Sequence, residues 1–420
     1  MASTEYMHRA WFVIFGAFTC LFCTIGFMNS FGIFEEYYGR NQLSSSSSST
    51  IAWLGAISIF FLFSISIGAG AMLDIFGPKL MVYSGSIGTV FSIMMISLCQ
   101  EFYQFLLAQG VLLGISMALV TWPMLALVGK YIKIKRAAAM GIVLAGSSLG
   151  GVIWPIAIDR LLESPSIGFP WTMRIVGFIM IPCFIFSCSV AKSPMAPRSA
   201  ESETCERLNN EKNPDPDIQP RSHKAEALDF FKQRSLQLLC LAMFVTYFGM
   251  FSPFFYTTLY AVEKGFSTTL AFYTVSIVNG TSFFGRILPG IVADKYGKFN
   301  CCILATISAG IVALCWTKVT SVAGLVIWCA AYGFASGGIL SLQQACAAQV
   351  ASKNTLGLAI GSVSGSTALS AMANVPISGA LSEKYGYLSL SLFSGVSLLL
   401  GGIFLIAARL VQKKQLRAIV

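Results

Sequence analysis

Charge is what this sequence has least of. Asp, Glu, Lys and Arg together make 11% of its 420 residues, whereas an average soluble domain carries roughly 25%. So few charges cannot cover a water-facing surface, which excludes an ordinary soluble enzyme or binding module. Histidine is nearly absent, and both copies, His8 and His223, fall outside the apolar runs. That argues against a histidine proton relay within a membrane and against a metal site; no cofactor is expected. No G-x-x-x-x-G-K-[ST] run occurs, so nothing in the chain reads as an ATP-driven motor, and no nucleophile–base motif stands out.

What is present is apolar: 55% of the residues are hydrophobic and the mean hydropathy is +0.73. Crossing a bilayer takes about 20 apolar residues per helix. Twelve such runs are predicted, at 11–34, 52–73, 80–98, 104–128, 138–158, 171–191, 236–260, 270–292, 300–317, 322–347, 357–379 and 388–408. The expected fold is an all-α integral membrane protein, with about twelve transmembrane helices in two six-helix bundles. Residues 1–191 would form the first bundle and 236–420 the second. Between them 192–235 is polar and rich in Pro and charge, and reads as a cytosolic linker. Its end, about 225–239, has the pattern of a short amphipathic helix. Ser44–Thr50 reads as flexible filler in an external loop.

The net charge of +10 raises nucleic acid as a partner, so its placement matters. With both termini on one side, that side holds 21 of the 28 Lys and Arg: Arg9, Lys79, four in 130–136, eight in 192–234, Lys295, Lys298, Lys353 and four after residue 408. The other side holds six, Arg40, Arg160, Arg174, Lys264, Lys318 and Lys384. The positive-inside rule puts both termini and the linker in the cytosol, so the basicity is topological and the partner is a lipid bilayer, not nucleic acid. A plasma membrane is the expected location. The first apolar run starts at Trp11 and lacks a small-residue cleavage site, so no cleavable signal is expected. The twelve cysteines fall within helices or on the cytosolic side, and no disulfide is predicted.

The halves echo each other. GAMLDIFGPK (Gly70–Lys79) follows the second run and GIVADKYGK (Gly290–Lys298) the eighth, with Asp74 and Asp294 separated by 220 residues. Weaker echoes follow the fifth run at Ile158-Asp159-Arg160 and the eleventh at Gly379–Gly386. A carboxylate in such a turn can sit against a helix N-terminus while nearby cations bind carboxylates or headgroups. Asp74, Lys79, Asp294, Lys295 and Lys298 are therefore expected to latch two helices in one state and release them in another.

This arrangement resembles the major facilitator superfamily, and within it the fungal branch of the monocarboxylate-porter family. The resemblance rests first on KYIKIKRAAAMGIVLAGSSLGG, where Tyr131, Lys135, Arg136, Ala138, Gly141, Ala145, Gly146, Ser147 and Gly150 fit that family's motif. AWFVIFGAF…GFMNSFGIFEEYY in the first run and NGTSFFGRILPGIVADKYG in the eighth are similar to it too. Characterised animal members carry an Asp one turn before the helix 8 Arg, where this chain has Ser282. They also carry a Lys in helix 1, where Phe31-Gly32-Ile33 has none. The resemblance implies alternating access of two bundles, with a cavity lined by helices 1, 4, 7 and 10.

Arg286 stands out without any family. It lies mid-helix with no acid three or four residues away, and an arginine at the bilayer centre costs about 2.5–3.5 kcal/mol on insertion scales. Its planar fork suits a carboxylate, with satisfaction by carbonyls or water as the bland alternative. Asn279, two turns earlier, shares its face; Asn29, Gln343, Gln344 and Asn374 are further polar groups at membrane depth, each equally suited to substrate contact or helix–helix bonding. Asn279-Gly280-Thr281 is formally a glycosylation sequon, but it lies inside a membrane span. Tyr256 and Trp122 are candidate cavity aromatics, with core packing the favoured reading. The expected activity is secondary transport of a small organic anion, a monocarboxylate, bound by Arg286. Export of an uncharged or amphipathic fungal metabolite is the alternative, and a non-transporting receptor the rival of another class. Facilitated diffusion or exchange is the sharper expectation, with proton symport the alternative; the nearest acids for it are Glu35, Glu36 and Asp159.

Overall fold

The computed structural model describes residues 2–192, 228–352 and 354–412. Most of the expected linker, His223, Cys205, Lys353 and the last basic residues lie outside these.

Ten helices among the described residues are long and apolar enough to cross a membrane. One of them, Leu356–Gln412, is 57 residues long. It turns at Gly386, whose φ of 75° is left-handed, and Ser389 Oγ donates back across that turn to Leu381 O at 3.1 Å. This helix therefore counts twice. Lys298–Leu314, with 17 residues, is a shorter apolar helix, which brings the described residues to twelve crossings, six up to residue 192 and six from residue 228 on.

The first bundle has α1 (Ala2–Cys23, Ile25–Met28 and Phe31–Arg40), α2 (Ser48–Ser64 and Ser66–Phe76), α3 (Lys79–Ile96), α4 (Phe102–Phe105, Leu106–Leu112 and Leu113–Tyr131), α5 (Arg136–Glu163) and α6 (Gly168–Val190). The second has α7 (Arg234–Met250 and Ser252–Glu263), α8 (Thr268–Tyr296), α9 (Lys298–Leu314), α10 (Val322–Val350), α11 (Leu356–Ser366 and 368–385) and α12 (387–412). Leu228–Phe231 are helical and the chain breaks at Lys232-Gln233, so the expected amphipathic helix ends before α7 begins.

The helices start where the sequence supplies caps. Ser47, Ser267 and Ser321 accept the third N–H of α2, α8 and α10 at 3.1–3.2 Å. Glu101 and Gln104 form a capping box at the start of α4. Large apolar side chains such as Trp11, Ile87, Leu304, Ile327 and Ile403 are exposed on the outside. In water that belt would be a severe liability, whereas against lipid it is the matched surface.

Several of the rods are broken or irregular. α1 is interrupted at Thr24 and at Asn29-Ser30, α7 at Phe251 just before Pro253, and α11 at Thr367. In α4 the Leu106–Leu112 stretch is π-helical, and an inserted residue of this kind re-aims side chains. Gln109 lies within it.

Candidate functional site

The halves meet in two places on the side of the chain termini, and both are built from small residues. α2 packs against α11, with Gly70 against the Gly357 backbone and Ser66 O against Gly361. α5 packs against α8, with Gly290 against Ala137–Ala138 and Arg286 O against Gly141. A β-carbon at Gly290 would lie 2.7 Å from Ala137 O, so helix approach this close requires glycine.

Each contact is closed by an aspartate. Asp74 accepts the N–H groups of Gly357 and Leu358 at 3.2 and 2.9 Å. Asp294 accepts those of Ala137 and Ala138 at 3.0 and 2.9 Å. These are the second and third residues of α11 and α5, whose N–H groups have no partner within their own helix. A carboxylate there satisfies them and meets the positive end of the helix dipole. Every pair obeys the same register, since Ser66, Gly70, Asp74, Ala137, Ala138 and Gly141 correspond at 220 residues to Arg286, Gly290, Asp294, Gly357, Leu358 and Gly361.

The cations at the two turns are placed differently. Lys130, at the end of α4, pairs with Asp74 at 2.9 Å. Arg136 donates from Nη1 to Ala348 O of α10 at 2.9 Å, crossing between halves. Lys298 is half-buried near Asp294, whereas Lys79 and Lys295 are exposed, the latter over the Tyr296 ring.

Arg286 is buried between α8 and α5. Its Nη1 donates to Leu144 O at 2.6 Å and to Ser147 Oγ, while its Nε has no partner. The structure thus gives it the carbonyl and hydroxyl partners of the alternative reading, on an inter-half contact. Asn279 and Asn29 converge on Gly151, where each amide would lie 2.7 Å from a β-carbon. Asn29 Nδ2 reaches Ser147 O at 3.5 Å, and Asn279 Nδ2 donates to Val275 O at 3.1 Å. The other amides bond within the second half. Gln343 donates to Tyr247 Oη at 2.7 Å and Gln344 to Ser364 Oγ at 3.0 Å. Asn374 donates to Phe248 O and to Ser252 Oγ, the latter at 2.9 Å. None of these residues, nor Arg286, lines the cavity described next.

That cavity, of about 170 Å³, lies between the halves on the side away from the termini. α1 supplies Phe27, Phe31, Phe34 and Glu35, α2 Ser58, α4 Gln109, α7 Phe255 and Tyr256, and α11 Val375. Five aromatic rings and a single carboxylate make its wall distinctive. Tyr38 donates to Gln109 Oε1 at 2.8 Å and Tyr256 Oη to Val375 O at 3.0 Å, which fixes both side chains. Helices α1, α4 and α7 contribute as the resemblance implies, while α10 is replaced by α2 and α11.

A model of the Major Facilitator Superfamily matches residues 10–351. The chain belongs to that superfamily. As a member it is an integral, multi-pass membrane transporter. It is 42% identical over 96% of its length to an MFS-type transporter of Aspergillus fumigatus, covering 92% of that protein. It is 42% identical over 97% of its length to the agnestins efflux protein of Paecilomyces divaricatus, covering 89% of it. Against the aspyridones efflux protein of Emericella nidulans the identity is 39% over 96% of this chain and 78% of that one. Among solved structures it resembles the human organic anion transporter MFSD10 with a TM-score of 0.69 at 16% identity, over 95% and 99% of the two chains. The Escherichia coli fucose:proton symporter FucP gives 0.68 at 13%, over 93% and 98%. Likeness at that identity concerns the fold.

In this major facilitator chain the helix 5 motif does packing work. Gly146 and Gly150 sit against Phe18, Phe22 and Gly26 of α1, and Gly141 against α8. Tyr131 donates to Lys192 O at 2.9 Å, and Lys135 is exposed at the start of α5. Trp122 is buried and donates to Leu62 O at 2.7 Å, as core packing requires, whereas Tyr256 faces the cavity. Part of the cavity's aromatic face is visible in residue spacing. Phe27, Phe31 and Glu35 recur every four residues, so they share one face of α1.

Proposed function

We propose that this transporter exports a small, mainly apolar aromatic amphiphile by alternating access, with the aromatic cavity as its substrate site. The observation that carries this reading is the cavity wall, which holds rings and one carboxylate but no cation. A bound carboxylate would find no counter-charge on this wall and would have to share the cavity with the carboxyl group of Glu35. Two relatives at about 40% identity are named as efflux proteins for agnestins and aspyridones, which supports export of a secondary metabolite. The 21-to-6 bias of Lys and Arg supports a cytosolic position for the termini, and export supports a plasma membrane. In that orientation the two Asp contacts seal the cytosolic side while the cavity lies toward the exterior. We assign Asp74 and Asp294 the role of latches and Arg286 that of a lock on the same seal.

One observation favours the monocarboxylate reading. The buried Nε of Arg286 lacks a partner, so a carboxylate entering as α5 and α8 part would find a free donor. In that reading the chain is a monocarboxylate porter, with proton coupling as an option.

Cells expressing the chain separate the two. Steady-state content of amphipathic aromatic metabolites should fall at least severalfold, with labelled pyruvate and lactate uptake unchanged. Arg286-dependent pyruvate or lactate uptake, with no amphiphile export, would overturn the proposal.

A further inference from the structure

The cavity wall specifies more than apolarity, and its polar atoms are already sorted. Tyr256 donates to Val375 O, which commits its hydroxyl proton, and Gln109 Oε1 is taken by Tyr38. The carboxylate of Glu35 carries no such commitment. The nearest cation along α1, Arg40, is paired with Glu36 at 2.6 Å on the exposed surface. Ser58 of α2 has its Oγ fully buried behind the wall, so it presents no hydroxyl to the cavity. The cavity wall therefore offers one strong acceptor. The volume of about 170 Å³ is close to the ~150 Å³ of an apolar cavity that binds benzene, so one ring fits between Phe27, Phe31, Phe34, Phe255 and Tyr256.

From these groups we infer that the cavity recognises an aromatic ring bearing a hydrogen-bond donor, a phenol or an aromatic amine, which donates to Glu35. Glu35 is then the specificity-determining residue, accepting donors and rejecting carboxylates. This rests on the cavity being the substrate site, as proposed above.

The test is equilibrium binding to the purified, detergent-solubilised chain of three single-ring probes: 4-propylphenol, its methyl ether and 4-propylbenzoate. A hydrogen bond to a charged acceptor in a desolvated site is worth about tenfold in affinity or more. The wild-type chain should bind the phenol about tenfold more tightly than the ether, and the benzoate most weakly. Glu35→Gln should cut the phenol's advantage to about twofold and raise the benzoate to the level of the ether. Glu35→Asp, which keeps the charge, should still exclude the benzoate, and serves if the glutamine variant is not monodisperse. Equal binding of phenol and benzoate by the wild-type chain would overturn the inference, as would an unchanged order in Glu35→Gln. Ala52→Trp fills the cavity and separates this failure from that of the underlying reading. Loss of all three probes in Ala52→Trp, with Glu35→Gln inert, leaves the cavity as the site and removes only its selectivity. Binding that ignores Ala52→Trp removes the cavity itself.

Discussion

Ser66 and Arg286 hold the same register position in the two contacts between the halves, yet they bind those contacts together by different means. In α2–α11 the neutral Ser66 hydroxyl, shared with Phe63 O, reaches Gly361 O at 2.7 Å. In α5–α8, Arg286 reaches a turn deeper, to Leu144 O and Ser147 Oγ, and leaves a donor unmatched. The flanking glycines and aspartates are otherwise equivalent. The difference separates the features shared by both halves from those present in only one. The capping aspartates and the glycine surfaces belong to the repeat. The buried cation is particular to α5–α8, just as the Lys130–Asp74 ion pair is particular to α2–α11, where Val350 stands at the matching position of the other half.

The largest effect should come from filling a glycine surface common to both contacts. A leucine at Gly141 would drive its β-carbon into the Arg286 carbonyl, and packed backbone cannot yield to it. Export by Gly141→Leu should fall more than a hundredfold while the protein still inserts, measured as initial rates in cells matched for membrane expression. Near-normal export would show that α5 and α8 need not close.

A smaller pair of changes addresses the asymmetric position. Arg286→Met removes hydrogen bonds from a charged donor, each worth roughly 1.5–3 kcal/mol, and should shift the seal toward its open form by at least about tenfold. Ser66→Ala removes a neutral bond of about 1 kcal/mol and should shift it by about fivefold. Hydrogen exchange of the peptides spanning 136–141 and 355–361 reads both. If Ser66→Ala equals or exceeds Arg286→Met, the cation contributes no more to closure than the neutral hydroxyl does.

Much of this was legible beforehand. Apolar runs located the spans because lipid forces long, uniformly apolar helices. The Asp74 and Asp294 turns exposed the repeat because a polar turn stands out between such helices. Spans that are apolar all round carry little record of which side faces a cavity, which hid the aromatic wall of α1 and α7. The partners of Arg286 are hidden for a related reason. A midplane charge announces that it needs partners, but a carbonyl such as Leu144 O has no sequence signature. The residue that does line the cavity, Glu35, sits near the end of its span, where an acid looks like an ordinary surface group.

The central claim is that the two aspartate contacts are halves of a single closure, made and broken together as the bundles rock. The amides of Ala137, Ala138, Gly357 and Leu358 test it directly, because as first-turn N–H groups their protection depends on the aspartates and not on their own helices. Hydrogen–deuterium exchange on Asp74→Asn is the decisive measurement. The account predicts faster exchange at 357–358, where the contact is lost, and equally at 137–138, where Asp294 is untouched, each by about tenfold. Faster exchange confined to 357–358 would contradict it, and would make the two contacts independent.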